Sequence, residues 1–175
     1  QECKGLTTLN LAGNEVGAEG ARALAPAIEK CTALTTLDLG SNELGAEDAK
    51  VLAPAIQAST ALMALYVSGN VLNVYGGATF TKAYLQSASL EVVSGFATDD
   101  HLLHALHSLC STSTPDTLTR VEQKVRRRHH RHVPILHAWA TQRARLGSGA
   151  RLSRVPRDVF DRGKDSINAF FLALE

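Results

Sequence analysis

Leu6-Thr7-Thr8-Leu9-Asn10-Leu11-Ala12-Gly13-Asn14 recurs as Leu34-Thr35-Thr36-Leu37-Asp38-Leu39-Gly40-Ser41-Asn42, and again as Leu62-Met63-Ala64-Leu65-Tyr66-Val67-Ser68-Gly69-Asn70. The spacing is 28 residues each time. The halves that follow match too: Gly17-Ala-Glu-Gly-Ala-Arg-Ala-Leu-Ala-Pro-Ala-Ile28 corresponds to Gly45-Ala-Glu-Asp-Ala-Lys-Val-Leu-Ala-Pro-Ala-Ile56. The third copy, Asn73 to Tyr84, has drifted but keeps Phe80 and Tyr84 at the apolar positions. A fourth start falls at Leu90, with Val93 in register, Gly95 replacing the third apolar residue and Thr98 replacing the asparagine. A fixed period of this length is the mark of a repeat array.

Each unit combines two periodicities. Leu9 and Leu11, like Leu37 and Leu39, alternate with polar residues, which predicts a short half-buried strand. Ala21, Leu24 and Ile28 are spaced three and four apart, which predicts one apolar helix face. Gly17 and Gly45 suit the helix start, and Glu19 and Glu47 suit its positive end. Asn14, Asn42 and Asn70 stand where the chain leaves the strand. An amide there can donate and accept toward turn backbone that no ladder satisfies. One unit buries too few apolar side chains to offset the entropy of ordering it, so neighbours must share a core. Pro26 and Pro54 each lie inside an expected helix and remove a hydrogen bond, which suggests a tolerated bend.

The L-x-x-L-x-L-x-x-N pattern resembles the leucine-rich repeats of the ribonuclease-inhibitor and NOD-like-receptor class, over residues 1–98. The resemblance implies an α/β solenoid of short parallel strands and outer helices, with a mostly helical C-terminal cap. It implies a non-enzymatic protein–protein interaction scaffold, with partner-binding residues on the concave strand face: Thr8, Asn10, Thr36, Asp38, Tyr66 and Ser68. Tyr66 is the candidate anchor, since tyrosine is enriched at interface hot spots. Gln1 to Leu6 align with Glu29 to Leu34, so the chain is expected to start within a repeat, with further repeats before it.

Charge divides the chain near residue 98. Residues 1–100 carry 5 Lys and Arg against 11 Asp and Glu, and residues 101–175 carry 13 against 6. All 7 histidines lie in the second part. Residues 99–146 are expected to form a helical, basic region, and 147–175 a linker and capping helix. Thr98 to Cys110 reads as a helix with Thr98 as N-cap. Ser111 to Pro115 reads as a loop, and residues 117–132 as a polar, basic, exposed helix that Pro134 interrupts. Ile135, Trp139 and Leu146 then share a helical face. Ile167, Phe170, Phe171 and Leu174 form an apolar face that must dock, with the C-terminal end of the repeats as the expected seat. Residues 152–174 also resemble the segment after the last repeat of Roco-type proteins, which implies a regulatory role ahead of a GTPase or other nucleotide-binding signalling domain. The chain holds no Gly-rich lysine loop for phosphate.

Lys124, Arg126, Arg127, Arg128 and Arg131 form a basic patch that could contact nucleic acid or an anionic membrane, against the plainer reading of a solvated face. With Trp139 it has some look of a calmodulin target, but Pro134 breaks the helix. His101, His104, His107 and Cys110 are three apart. Pairs at that spacing can share a metal, but each step turns the helix face backwards, so all four do not converge and no metal is expected. Cys110 as a nucleophile lacks an orienting third group. Cys3 and Cys31 share one repeat position and read as small packing residues. With 3 cysteines there is no disulfide framework, which favours a reducing compartment. No cofactor and no membrane span are expected, and the location is read as cytoplasmic, with a nuclear one as the alternative.

Overall fold

A computed structural model describes residues 5–128 of the chain. The elements alternate: β1 (Thr8–Asn10), α1 (Gly17–Lys30), β2 (Thr36–Asp38), α2 (Ala46–Ala58), β3 (Ala64–Tyr66), α3 (Val74–Gln86), β4 (Val92–Ser94), then α4 (Asp99–Thr112) and α5 (Pro115–Arg128). The four strands form one parallel sheet in chain order. Leu9 pairs with Leu37, Leu37 with Leu65, and Leu65 with Val93. The offset is one repeat at every step, so the solenoid expected from the 28-residue period is the one observed.

The core lies between sheet and helices. Leu34, Leu37, Leu39, Leu62, Leu65 and Val67 enter it from the strand side, and Ala21, Ile28, Ala49, Leu52, Ile56, Phe80 and Tyr84 from the helix side, all fully or nearly fully buried. Leu6 is 38% exposed, whereas its equivalents Leu34, Leu62 and Leu90 are buried. Cys31 is also buried and packs as expected; Cys3 lies outside the described residues.

The asparagines tie unit to unit. Asn42 is buried. Its Oδ1 accepts the backbone N–H of Asn14 at 2.9 Å and of Val16 at 3.2 Å. Its Nδ2 donates to the carbonyls of Leu11 at 2.8 Å and Gly40 at 3.0 Å. Asn70 repeats the pattern, accepting from Asn42 and Leu44 and donating to Leu39 and Val67. All four hydrogen-bonding positions of each amide are thus used.

The residue before each asparagine position turns left-handed: Gly13 (φ 71°), Ser41 (53°), Gly69 (73°) and Ala97 (61°). Two of these are glycine, for which such a φ is unstrained. Glu15 and Glu43 share a second left-handed position, at 51° and 57°.

Pro26 and Pro54 lie inside α1 and α2 as read from the sequence. Each is exposed, and so are Arg22 and Lys50, whose carbonyls lose their helical donor. On the outer side of the helix, water can replace the missing bond. Gly45 caps α2, and its N–H donates to the Asp48 carboxylate at 2.9 Å.

The fourth repeat departs where Gly95 replaces the apolar residue. Gly95 has φ 89°, and a Cβ there would lie 2.4 Å from the Ser68 backbone nitrogen. The next residue, Phe96, is buried instead and sets its ring 5.6 Å from that of Phe80. Thr81 Oγ1 donates to the Gly77 carbonyl at 2.8 Å and accepts the Ala97 N–H at 3.1 Å, fixing the strand exit to α3.

The chain divides into two compact units, Gln1–Leu102 and Leu103–Glu175, with the break inside α4. The Leu102 N–H donates to the Thr98 carbonyl at 2.8 Å, and α4 starts directly after Thr98, as an N-cap there requires. In the second unit, two expectations are corrected. Pro115 is the first residue of α5, not the end of a loop: proline is pre-shaped for that position, and the Leu118 N–H reaches the Thr114 carbonyl at 3.0 Å. Nor is α5 exposed all round, because Leu118, Val121 and Val125 are buried along one face. The predicted features at Pro134, Trp139 and residues 147–175, including the Roco-like stretch and the capping helix, lie outside the described residues.

Candidate functional site

The strand register arranges the outward side chains in rows. Thr8, Thr36, Ala64 and Val92 are partners along one row, and Asn10, Asp38, Tyr66 and Ser94 along the next. Such rows arise because the sheet is parallel and the repeat length constant, so equivalent residues stack about 4.8 Å apart. Thr8 and Asn10 are exposed, Thr36, Asp38 and Tyr66 half-buried. Ser68 lies just past β3, exposed, and its hydroxyl is 2.8 Å from that of Ser94. All six residues singled out from the sequence thus fall on or beside one sheet face. Val92, exposed on the same face, was not among them.

Part of the polar capacity of this face is already used. Asn10 Oδ1 accepts the Ala12 N–H and Asp38 Oδ1 the Gly40 N–H, each at 2.9 Å. These bonds turn the chain out of the strand and hold both side chains in place. The face therefore offers an ordered amide, an ordered carboxylate, a tyrosine and the hydroxyls of Thr8, Thr36, Ser68 and Ser94 in fixed register. Such a set can hydrogen-bond and pack against a polypeptide surface.

The basic stretch is less uniform than its sequence suggests. Lys124 is only 5% exposed, so it is withdrawn from the solvent-facing patch expected of it. A lysine at this place can bury its long apolar stem beside Val121 and Val125 positions of the same face. Arg126 is exposed and pairs with Glu122 through two donors, Nε at 3.0 Å and Nη2 at 2.8 Å. Arg127 is exposed. The Arg128 side chain and Arg131 lie outside what is described, as do the side chains of His107 and Cys110. Among the described residues, no three histidines, cysteines or acids gather as metal ligands would. No helix among them is long and apolar enough to cross a membrane.

His101 has a packing role that its spacing did not reveal. Gly77 stands at the α3 position equivalent to Ala21 and Ala49. A Cβ there would lie 2.3 Å from the His101 ring, so the ring occupies the space of the missing methyl.

A family model described as a leucine-rich repeat matches residues 2–25 and 30–53. No curated protein sequence matches the chain. Among solved structures, the tropomodulin C-terminal domain of Caenorhabditis elegans is similar, with a TM-score of 0.53 and 17% identity over 73% of this chain and 87% of that one. A structure described as leiomodin-1 actin-binding site 2 aligns with a TM-score of 0.49 and 14% identity, over 80% of this chain and 83% of that one. At 17% identity the likeness to the tropomodulin domain is one of fold alone.

Proposed function

We propose that this leucine-rich-repeat solenoid is a protein-binding scaffold that uses its strand face, without catalysis. The supporting observation is the row Asn10, Asp38, Tyr66 and Ser94, held in register across four parallel strands. Recognition then works by rigid display. The buried asparagine ladder and shared leucine core fix the backbone, so the outward side chains are ordered before a partner arrives and lose little entropy on binding. Tyr66 supplies a large contact area with few rotatable bonds, as an anchor residue should. The 28-residue period and a full helix in each of three successive units support placing the repeats in the ribonuclease-inhibitor and NOD-like-receptor class.

Site-directed photo-crosslinking in cells tests the reading. With p-benzoylphenylalanine in place of Tyr66, a discrete heavier adduct is expected. The same group in place of Lys50, on the outer side of α2, should give none. An adduct from Lys50 alone, or from neither position, would overturn the strand-face assignment.

A further inference from the structure

The strand-to-helix edge of the solenoid carries a second pattern, visible when equivalent positions are compared. The three segments are Gly13-Asn-Glu-Val-Gly-Ala-Glu19, Ser41-Asn-Glu-Leu-Gly-Ala-Glu47 and Gly69-Asn-Val-Leu-Asn-Val-Tyr75. None contains Lys or Arg. The first two place two glutamates each at the same positions, and Glu15, Glu19, Glu43 and Glu47 are all exposed. In the third, those positions hold Val71 and Tyr75, which are 68% and 62% exposed. They are the two most exposed of the large hydrophobic residues in the described chain.

Ordinary helix chemistry explains part of this. Glu19 and Glu47 sit in the first turns of α1 and α2, where an acid favours the helix dipole. It does not explain Glu15 and Glu43, which precede the helices. Nor does it explain the exposure of Val71 and of the Tyr75 ring at the two positions that hold glutamate in the other repeats. Asn73 already caps α3, accepting from the Tyr75 and Gly76 N–H groups at 3.0 Å, so helix initiation does not need the tyrosine ring.

We propose that this edge binds a basic polypeptide segment that carries one apolar anchor. The inference rests on the scaffold reading above but names a different surface and a partner chemistry. The anchor sits over Val71 and Tyr75, and Lys or Arg residues beside it face the two glutamate-bearing edges. The choice of a basic partner follows from charge: Glu47 already pairs with Lys50 Nζ at 2.6 Å, and the other three exposed glutamates, Glu15, Glu19 and Glu43, favour and steer a positive ligand. Geometry sets its spacing. Neighbouring units are about 5 Å apart at the strands and roughly 8–10 Å apart at the helices. In an extended segment, residues two apart are separated by about 6.6 Å. A sequence with the anchor followed by cations at alternate positions therefore meets successive edges.

The test uses the full chain, labelled with nitrogen-15, and three synthetic twelve-residue peptides. The first has one Trp and alternate lysines, the second replaces Trp by Ser, and the third replaces the lysines by Glu. The first peptide is expected to shift amides of residues 13–19, 41–47 and 69–75, with a response that weakens as salt rises. Its affinity should fall about tenfold with Tyr75→Ala and again with Glu15→Gln and Glu43→Gln together, on spectra that otherwise retain native dispersion. The second and third peptides should bind at least tenfold more weakly. Shifts confined to residues 8–10, 36–38 and 64–66 and abolished by Tyr66→Ala would overturn this proposal while supporting the strand face. Binding insensitive to Tyr75→Ala and to the glutamine changes would also overturn it, as would no response to any peptide; the crosslinking result at Tyr66 stands apart from both.

Discussion

The side chain of Asn70 accepts the backbone N–H of Asn42 at 2.9 Å, while Asn42 does the same for Asn14 one repeat earlier, again at 2.9 Å. This relay replaces the backbone ladder where the chain leaves the sheet. Because Asn42 is buried, its bonds have no ready substitute in water. Asn42→Ala strands the Asn14 and Val16 N–H groups and the Leu11 carbonyl at once, while the Gly40 carbonyl keeps the Gly13 N–H at 2.9 Å, and a loss of about 3–5 kcal/mol is expected. Asn14 is exposed, and its amide donates to the Ala12 carbonyl at 3.1 Å. Asn14→Ala should cost about 1 kcal/mol or less. Urea unfolding midpoints of the two variants check the difference, and equal losses would mean that the ladder is not what joins the units.

Ser41 occupies the left-handed position that Gly13 and Gly69 fill elsewhere. A side chain with Cβ is disfavoured there by about 1–2 kcal/mol, and glycine gives back part of that through its more disordered unfolded state. Ser41→Gly should therefore raise stability by about 0.5–1 kcal/mol, read as a higher melting temperature. Gly69→Ala should do the opposite, since its new Cβ would also lie 2.6 Å from Ser41 Oγ.

Arg126 and Glu122 form a two-donor ion pair one helical turn apart on α5, but Arg126 is exposed. Such a pair contributes about 0.3–0.5 kcal/mol and is screened by salt. Arg126→Gln is expected to lower stability by no more than that, with the difference vanishing near 1 M salt. Lys124→Gln should cost more, because Lys124 is buried. Unfolding curves at low and high salt separate the two cases.

The repeats were legible because two independent signals, period and residue alternation, agree over two near-identical copies. The strand-face rows followed from that register alone. What the sequence concealed was local. Ser41 and Ala97 do not advertise a positive φ as glycine does; only their equivalence to Gly13 and Gly69 could have shown it. In α5, Leu118, Val121 and Val125 were spaced for a buried face, but the density of cations around them suggested solvent. The helix start was also written there, as Thr114 before Pro115 and Asp116. Val71 and Tyr75 are visible only by comparing the third copy with the first two, position by position, once exposure is known.

Gly77 and His101 make a pair whose shapes depend on each other. The His101 ring takes the room that a methyl fills at Ala21 and Ala49, and a Cβ on Gly77 would meet the ring at 2.3 Å. Gly77→Ala should thus cost about 1–3 kcal/mol, the usual penalty of overpacking. It also removes glycine from a helix interior, which alone would stabilise by about 0.5–1 kcal/mol, so a net loss requires the clash. His101→Ala opens a gap at the start of α4. Combining the two lets the alanine methyl take the space that the ring vacates, as it does in the first two repeats. The double variant should be more stable than the sum of the single losses implies, by at least 1 kcal/mol. Denaturation of the four proteins of this cycle provides the measurement. Additive losses would show that ring and glycine do not share the space the structure gives them.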